Sequence, residues 1–307
     1  IAPLMHAAAL WAAWSGLFSG LTLVLDESRT FDAEEIWSRV ERLGVNIVQV
    51  VGDAMAMPLR DALLAHPGRW NLQGIVNFGS GWAVFSQHVK DDLRKLLPET
   101  ANISDGMGST ETGVAGQGAG SPDGMMRLPS SESTRVLVDD RFATPGETGV
   151  VARSGFMPIG YFGDPEKTAD VFREIEGRIW VISGDAGRLD DQGMITIYGR
   201  GSTCINSGGE KIFPEEIEQV LRAHPAVQDA VVAGQPDPRW GERVVAIVSP
   251  RDPQVRPPLA ELRPFLDQKL AGYKIPKSLV WVDAVRRSPA GKQDYRWAKS
   301  VAVEAGD

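Results

Sequence analysis

Residues 32–52, DAEEIWSRVERLGVNIVQVVG, hold a helix signal followed by a strand signal. Asp32 can cap a helix that runs through Leu43, because a carboxylate at this position accepts hydrogen bonds from free backbone N–H groups. The β-branched run from Val45 to Val51 then predicts a buried strand. Together with an apolar strand predicted at Leu21–Leu25, the order is strand, helix, strand, which is typical of a parallel sheet covered by helices.

The flanking segments continue this alternation. Further helices are predicted over residues 5–18, 53–66 and 86–97, and a further strand at Ile75–Phe78. The pattern predicts the α/β class with a mostly parallel sheet. From Ser104 to Ser133 the sequence is rich in Gly, Ser, Thr and Pro. We therefore expect a long loop there, and a loop of this length is a candidate functional segment.

The second half of the chain has a different character. Short strands separated by turns predict a smaller β-rich subdomain, with strands at residues 134–139, 150–154, 179–183 and 194–198. A domain boundary is predicted near Gly199–Ser202. Beyond it we expect a compact α+β unit, with helices at 214–223 and 259–270 and strands at 227–233, 244–248 and 278–282. The length of 307 residues agrees with two domains.

Composition and charge limit the possible functions. Hydrophobic residues make up 43% and charged residues 23% of the chain, which is typical of a globular protein rather than a disordered one. The formal net charge of −8 disfavours binding to nucleic acid, because an acidic surface repels phosphate backbones. Cys204 is the single cysteine, so an internal disulfide is impossible, as is common in the cytoplasm.

An uncharged run extends from Ile1 to Leu25 and is long enough to suggest a membrane span. The run is interrupted by Pro3, His6, Gly16 and Gly20. We therefore expect a core helix and a core strand instead, and no transmembrane span. Because the chain opens at Ile1 without a basic leader, we also expect a fragment without a secretory signal.

A glycine-rich stretch with hydroxyl and carboxylate side chains is a candidate for phosphate binding. Residues 105–113 read DGMGSTETG. Backbone N–H groups in such a turn can face a phosphate, while Glu111 supplies a hard oxygen ligand for Mg²⁺. Most stretches of this composition are plain turns, however, so the composition alone leaves both interpretations open.

Three charged side chains further along the chain can bind the rest of a nucleotide. Asp185, after the predicted strand Ile179–Ser183, can accept hydrogen bonds from ribose hydroxyls, although turn aspartates are equally common. Arg200 can fork onto ribose or phosphate oxygens, although a single arginine is more often in a surface ion pair. Lys292 follows Gly291, which allows close backbone approach to a ligand; the alternative is an exposed surface lysine.

In this order and spacing, the segments resemble the motifs of the adenylate-forming superfamily of acyl-CoA synthetases and AMP-dependent ligases. Residues 107–111 resemble its aromatic-Gly-x-Thr-Glu motif, with Met107 in place of the aromatic ring. Residues 183–185 resemble its Thr-Gly-Asp motif, and Gly199-Arg200 its next ribose-binding element. Residues 206–218 resemble the glycine-rich turn and helix start of the family's small domain, and residues 289–292 its C-terminal lysine motif.

The resemblance implies roles for individual residues. Thr110 would contact the α-phosphate of ATP, and Glu111 would hold Mg²⁺. Asp185 and Arg200 would hold the ribose. Lys292 would be a catalytic residue that bridges the attacking carboxylate and the α-phosphate.

The same resemblance implies a wider set of binding residues. Those expected around the nucleotide are Gly79, Ser80, Gly81, Asp105, Gly106, Met107, Gly108 and Ser109. Those expected at the acyl group or in the thioester step are His6, Gly81, Gly108, Gly208 and Gly209. Ser202 stands at the family's hinge position. Residues 1–200 would be the C-terminal part of the large AMP-binding domain, and residues 201–307 the small mobile domain.

The function implied is ATP-dependent activation of a carboxylic acid, with transfer to coenzyme A and release of AMP and pyrophosphate. Fatty acids or steroid side-chain acids are the expected substrates, and the cytoplasm is the expected location. One alternative is an acyl-adenylate ligase that uses a carrier protein or an amine as acceptor. Another is an inactive nucleotide-binding fragment, because the family's loop for the β- and γ-phosphates has no counterpart in this sequence. The sequence does not indicate an oligomeric state.

Overall fold

The computed structural model describes residues 1–26, 28, 30–81, 83, 85–120, 125–288 and 291–305. The chain divides into two compact units. The first consists of Ile1–Gly120, Phe156–Pro158 and Pro289–Lys292. The second consists of Ser121–Gly155, Ile159–Ser288 and Gln293–Asp307. Both contain helices packed on sheets, which confirms the predicted α/β class.

The first unit alternates helices and strands. In chain order these are α1 (Ala7–Phe18), α2 (Ala33–Leu43), β1 (Ile47–Val50), α3 (Asp53–Ala65), β2 (Asn77–Gly81), α4 (Gln87–Leu96), β3 (Asn102–Ser109) and β4 (Gly113–Gly120). The strands follow the order β1-β2-β3-β4. The first three are parallel, and β4 is antiparallel to β3. Parallel strands therefore deliver their carboxyl ends to one edge of this sheet.

The helix α2 begins at the predicted cap. Oδ1 of Asp32 accepts hydrogen bonds from the N–H groups of Glu34 and Glu35 at 3.0 and 3.1 Å, which confirms the cap of α2. The helix ends at Gly44, whose φ of 61° places it in the left-handed region. Its buried face includes Trp37, whose Nε1 donates to the carbonyl oxygen of Leu59 at 2.9 Å. This contact fixes α2 against α3.

Two predictions for the first unit are wrong. Leu21–Leu25 forms no strand, and the side chains of Leu21 and Leu25 are about half exposed. α1 buries Ala9 and Ala13 but leaves Trp14 and Phe18 exposed, so it is not the core helix expected. Apolar composition alone cannot show whether a partner surface covers a segment. Among the described residues, no helix has both the length and the apolar character needed to cross a bilayer.

The prediction of a long loop from Ser104 to Ser133 is also wrong. Most of β3, all of β4 and the strand β5 (Met126–Pro129) lie within it, although residues 121–124 fall outside the described residues. Pairing with β2 supplies the hydrogen-bond partners for β3, and β3 supplies those for β4. Glycine carries no apolar alternation, so the strand character of this stretch is invisible in its composition.

The second unit contains two sheets. The first is built from β5, β6 (Thr134–Val138), β7 (Arg141–Phe142), β8 (Thr148–Arg153), β9 (Phe172–Ile175), β10 (Arg178–Leu189) and β11 (Met194–Arg200), with the helix α5 (Pro165–Val171). Its strands follow the order β5-β11-β10-β8-β6-β7, with β9 beside β10. This sheet confirms the predicted β-rich region.

The second sheet of this unit begins after β11. Its elements are β12 (Ile205–Ser207), β13 (Glu210–Ile212), α6 (Pro214–Arg222), β14 (Val227–Asp237), β15 (Gly241–Pro250), α7 (Leu259–Asp267), β16 (Ser278–Trp281) and α8 (Tyr295–Glu304). The order is β13-β12-β15-β14, with β16 parallel to β15. Alternate residues of β14 face opposite sides: Val232 joins the cluster around α6 and α7, and Val231 the cluster around α8. The sheet is therefore covered on both faces, which explains its continuous apolar runs.

The chain passes from the first sheet of the second unit to the second sheet between Arg200, the last residue of β11, and Ile205, the first residue of β12. The predicted domain boundary at residues 200/201 falls in this interval. The two compact units have other limits, so the boundary stays a prediction.

Candidate functional site

The ends of the parallel strands in the first unit bring two predicted segments together. Gly79, Ser80 and Gly81 form the end of β2, between β1 and β3. Ser80 pairs with Val50 on one side and with Asp105 on the other. Its hydroxyl also accepts a hydrogen bond from the N–H of Gly52 at 2.9 Å. Residues 79–81 and the start of the glycine-rich stretch are therefore neighbours at the sheet edge where α/β proteins bind ligands.

Two glycines at this edge are closely packed. A Cβ on Gly81 would lie 3.0 Å from the carbonyl oxygen of Gly106. A Cβ on Gly79 would lie 3.1 Å from Oγ of Ser104 and 2.5 Å from Oε1 of Gln49. At Gly81 the close atom belongs to the backbone of β3, so glycine keeps these two strands close together, whereas at Gly79 the close atoms are the ends of side chains.

The predicted phosphate contact lies at the tip of a hairpin. Thr110 to Thr112 form the turn between β3 and β4, closed by the pairing of Ser109 with Gly113. The Ser109 N–H donates to Oγ1 of Thr112 at 2.9 Å, and the Thr112 N–H donates to Oγ of Ser109 at 3.1 Å. These reciprocal bonds fix the turn from inside. Thr110 is exposed and Glu111 half-buried, so both are placed at the surface of the tip.

Asp105 and Met107 occupy different environments within β3. Met107 is half-buried and pairs with Gly116 of β4. Asp105 is buried, and its Oδ2 accepts a hydrogen bond from Nζ of Lys90 at 2.7 Å. Burial raises the pKa of the Asp105 carboxyl to about 6, although the charge of Lys90 opposes this shift. The Asp105 side chain is thus part of an interior ion pair.

Lys90 was not among the residues predicted from the sequence. The sequence feature that could have revealed it is its position on the face of α4 that also carries Val89 and Leu93, which are both fully buried. A charged residue on the apolar face of a helix indicates a buried partner elsewhere in the fold.

Asp185 and Arg200 face each other in the second unit. Asp185 lies within β10 rather than after a strand as predicted, because Ser183 to Asp185 form an irregularity in the β10–β8 register. Asp185 pairs with Arg200 of β11, and its Oδ1 lies 3.6 Å from Nε of Arg200. The Ser183 hydroxyl donates to the carbonyl oxygen of Val151 and accepts from the Asp185 N–H. The bulge therefore holds the carboxylate at the end of the hairpin.

The segment after Arg200 packs against the start of α6. The Arg200 N–H donates to Oε1 of Glu215 at 3.3 Å, and the Thr203 hydroxyl lies 3.4 Å from the same oxygen. Burial raises the pKa of the Glu215 carboxyl to about 8, with the charge of Glu218 adding to the shift. Ser202 lies in a short 3₁₀ turn, Gly201–Thr203.

Gly208 and Gly209 form the tight turn between β12 and β13. Their φ angles of 61° and 89° are both positive, as a two-residue hairpin turn requires. The Gly208 N–H donates to the carbonyl oxygen of Trp240 at 2.8 Å. The Trp240 ring covers this glycine, because a Cβ on Gly208 would lie 2.8 Å from Cε3 of the ring.

Lys292 is exposed and belongs to the first unit. Gly291 before it has a φ of 78°, and a Cβ there would lie 2.9 Å from Cβ of Ala54 in α3. Pro289 and Ala290 of the predicted lysine motif lie outside the described residues. His6 is half-buried at the N-cap position of α1.

The described residues contain no group of three or more His, Cys, Asp or Glu side chains that could hold a metal ion. Mg²⁺ in nucleotide sites is usually held by one or two carboxylates together with the phosphates of the substrate. The surface position of Glu111 fits this arrangement.

Comparison with known proteins identifies the class of protein to which this chain belongs. The AMP-binding enzyme family matches residues 1–155, and the AMP-binding enzyme C-terminal domain matches residues 216–292. The chain belongs to the AMP-binding enzyme family, which confirms the predicted adenylate-forming superfamily.

The chain is similar in sequence to named ligases. The chain is 46% identical to the medium/long-chain-fatty-acid–CoA/3-oxocholest-4-en-26-oate–CoA ligase of Mycobacterium tuberculosis, over 97% of this chain and 55% of that protein. It is 42% identical to the 3-oxocholest-4-en-26-oate–CoA ligase of Rhodococcus rhodochrous, over 97% of this chain and 55% of that protein. The chain thus spans about half the length of the curated relatives it matches.

Solved structures share the fold. The o-succinylbenzoate CoA synthetase of Bacillus subtilis, in complex with its acyl-adenylate intermediate, matches with a TM-score of 0.77 and 26% identity, over 97% of this chain and 60% of that one. The ATP-bound MatB of Rhodopseudomonas palustris matches with a TM-score of 0.82 and 24% identity, over 99% of this chain and 60% of that one.

Proposed function

We propose that the full-length protein activates a carboxylic acid with ATP and transfers the acyl group to coenzyme A. The observation that carries this proposal is the 46% identity, over 97% of the chain, to a ligase whose name states coenzyme A as acceptor. The same name supports fatty acids and a steroid side-chain acid as substrates. The exposed hairpin turn with Thr110 and Glu111 and the facing pair of Asp185 and Arg200 supply suitable groups for the nucleotide.

In the first step, a carboxylate oxygen of the acid attacks the α-phosphorus of ATP, the bond to the leaving oxygen breaks, and acyl-adenylate and pyrophosphate form. Thr110 contacts the α-phosphate and Lys292 bridges it to the attacking carboxylate, so that negative charge is neutralised as it approaches. Asp185 and Arg200 hold the ribose, which aligns the phosphorus with the nucleophile. Glu111 would hold Mg²⁺, which would supply further charge neutralisation when bound.

In the second step, the sulfur of coenzyme A attacks the acyl carbonyl carbon, and AMP leaves as the thiol proton is released. Lys292 and the thiol require the same approach, so we propose that residues 201–307 rotate as a small domain about Ser202. The rotation withdraws Lys292 and presents the Gly208–Gly209 turn to the thioester reaction. Gly79 to Gly81, Gly106, Gly108 and His6 then line the acyl group and nucleotide. A cytoplasmic location fits these substrates.

Replacing Lys292 by Ala in the full-length protein tests this mechanism. We expect adenylate formation, measured as pyrophosphate release, to fall by about 100-fold or more, while thioester formation from supplied acyl-adenylate continues. Asp185→Ala, by contrast, should mainly raise the apparent KM for ATP. Equal loss of both half-reactions in Lys292→Ala would contradict the assigned role of the lysine.

A different acceptor is the second candidate. The chain is also 33% identical, over 97% of its length, to a fatty acid–[acyl-carrier-protein] ligase, ScoC, of Streptomyces coeruleorubidus. Adenylate turnover measured with coenzyme A and with an acyl carrier protein separates the two. Turnover stimulated by the carrier protein alone would favour the ScoC-like reaction.

A further inference from the structure

We call residues 288–292 the lysine loop, and the residues on either side of it its stems. The proposed mechanism does not use the contacts that these stems make. Arg287 and Gln293 flank residues 288–292 and form an isolated antiparallel bridge with each other. The Asp294 N–H also donates to the carbonyl oxygen of Arg286 at 3.2 Å. The chain before and after residues 288–292 is therefore joined by backbone pairing.

One stem is held by a forked ion pair. Nε and Nη2 of Arg287 each donate to a carboxylate oxygen of Asp229 at 2.8 Å. The side chains of both residues are less than one-fifth exposed. A guanidinium fork of this kind fixes orientation as well as distance, which a single contact cannot do. Arg287 is thereby locked to the beginning of β14.

The other stem is held by a buried carboxylate. Oε2 of Glu218 accepts a hydrogen bond from Nε2 of Gln293, the residue next to Lys292. Its Oε1 accepts from the N–H of Val232 at 2.9 Å. The Tyr295 hydroxyl lies 3.4 Å from Oε2. Glu218 therefore ties the second stem to both α6 and β14.

Arg222 joins the two anchors. Its Nη1 lies 3.7 Å from the carboxylate of Asp229 and 3.8 Å from that of Glu218, and it donates to the carbonyl oxygen of Ala230 at 2.9 Å. Arg222 and Glu218 are both 0% exposed. Buried charges are costly unless they are paired, and a paired network of this kind specifies one arrangement of the groups around it.

We propose that this network, formed by Glu218, Arg222, Asp229, Arg287 and Gln293, positions Lys292 for the adenylation step. The inference rests on the proposed function of Lys292. The five residues do not touch the substrate; they fix both stems of the loop, so that the ammonium reaches one place when the small domain adopts the adenylating orientation. Loss of a stem contact lets the loop shift, and a misplacement of about 1 Å can reduce a rate by about 100-fold.

Arg287→Ala in the full-length protein is the first test. We expect adenylate formation to fall by about 10-fold to 100-fold, and thioester formation from supplied acyl-adenylate to change by less than about 2-fold. A purely structural defect in the small domain would lower both half-reactions. Arg287→Lys should recover part of the adenylation rate, because it restores the charge but not the fork.

Arg286→Ala is the matched control. It removes the same charge one residue away, where Arg286 is largely exposed and forms a longer pair with Asp294 at 3.4 Å. Surface pairs of this kind contribute little, so both half-reactions should stay close to wild type. If Arg287→Ala does not fold, Gln293→Ala breaks the other stem contact, and the same selective loss is expected.

A double variant distinguishes positioning from an independent role. Because Arg287 acts only through Lys292, adding Arg287→Ala to Lys292→Ala should cause no further loss of adenylation. A further loss, or equal damage to both half-reactions in Arg287→Ala, overturns the inference while the role of Lys292 stands. Failure of Lys292→Ala itself to act selectively overturns the proposed mechanism and the inference with it.

Discussion

Asp105 shows how a residue in a recognisable motif can have its side chain directed inward. Its place at the start of the glycine-rich stretch predicts a nucleotide contact, yet its carboxylate is bonded to Lys90 in the interior. The pair also lies near Asp53, which binds the N–H of Ser86 at 2.8 Å and raises the pKa of the Asp105 carboxyl further. A sequence motif identifies the segment but does not give the direction of each side chain.

The pKa of the Asp105 carboxyl, raised by burial to about 6 from an ordinary value of 3.8, predicts a pH dependence of stability. Between these two values the folded chain binds more protons than the unfolded chain, so this carboxyl lowers the free energy of unfolding as the pH rises from about 4 to about 6. The full effect is about 3 kcal/mol. Asp105→Asn should remove it. Urea unfolding of both proteins across this range should give curves that diverge with pH; parallel curves would show that Asp105 does not titrate in this way.

At the scale of elements, the helix α2 was predictable because its limits are local. Asp32 and Gly44 mark the two ends of α2 in the sequence, and the structure has both caps. The strands β3 and β4 were not predictable, because their order comes from pairing with β2 and with each other. Leu21–Leu25 shows the reverse case: a run typical of a strand lies outside every sheet of the described residues. Strand formation depends on neighbours that a single segment does not contain.

Gly199 offers a test of the packing between β11 and α6. It has a φ of 110°, and a Cβ there would overlap the carboxyl group of Glu215. Gly199→Ala should therefore destabilise the protein by about 2 kcal/mol or more, measured as a lower Tm by circular dichroism. Gly201→Ala is the matched control, because its Cβ would lie at an ordinary 3.5 Å from the nearest atom, the carbonyl oxygen of Gly184. Equal effects of the two substitutions would contradict the overlap.

At the scale of the whole molecule, the superfamily was predictable from the sequence, whereas the network of charged residues around the lysine loop was not. Its members lie at positions 218, 222, 229, 287 and 293, and only the fold brings them together. The α8 helix, also absent from the sequence predictions, packs Ala298 and Ala302 against the same sheet. Long-range pairing of charged residues has no periodic signal in a sequence.

Limited digestion with trypsin tests the predicted boundary at residues 200/201. Arg200 has a side chain 60% exposed, and the 3₁₀ turn that follows it is largely exposed. A segment that connects two sheets unfolds locally more readily than the sheets themselves. We expect a resistant fragment that begins at Gly201, identified by mass spectrometry and absent from Arg200→Gln. Stable fragments that all retain residues 195–210 would place the boundary elsewhere.

The pairing of Asp185 with Arg200 also has a thermodynamic consequence. Arg200 is the last residue of β11, so the chain leaves the first sheet of the second unit opposite the carboxylate assigned to the ribose. A nucleotide held by both side chains would restrain the chain at Arg200, where it leaves this sheet. Occupancy of the nucleotide site and the orientation of everything after Arg200 would then be linked. Any substitution that favours the orientation adopted with nucleotide would also raise the affinity for nucleotide.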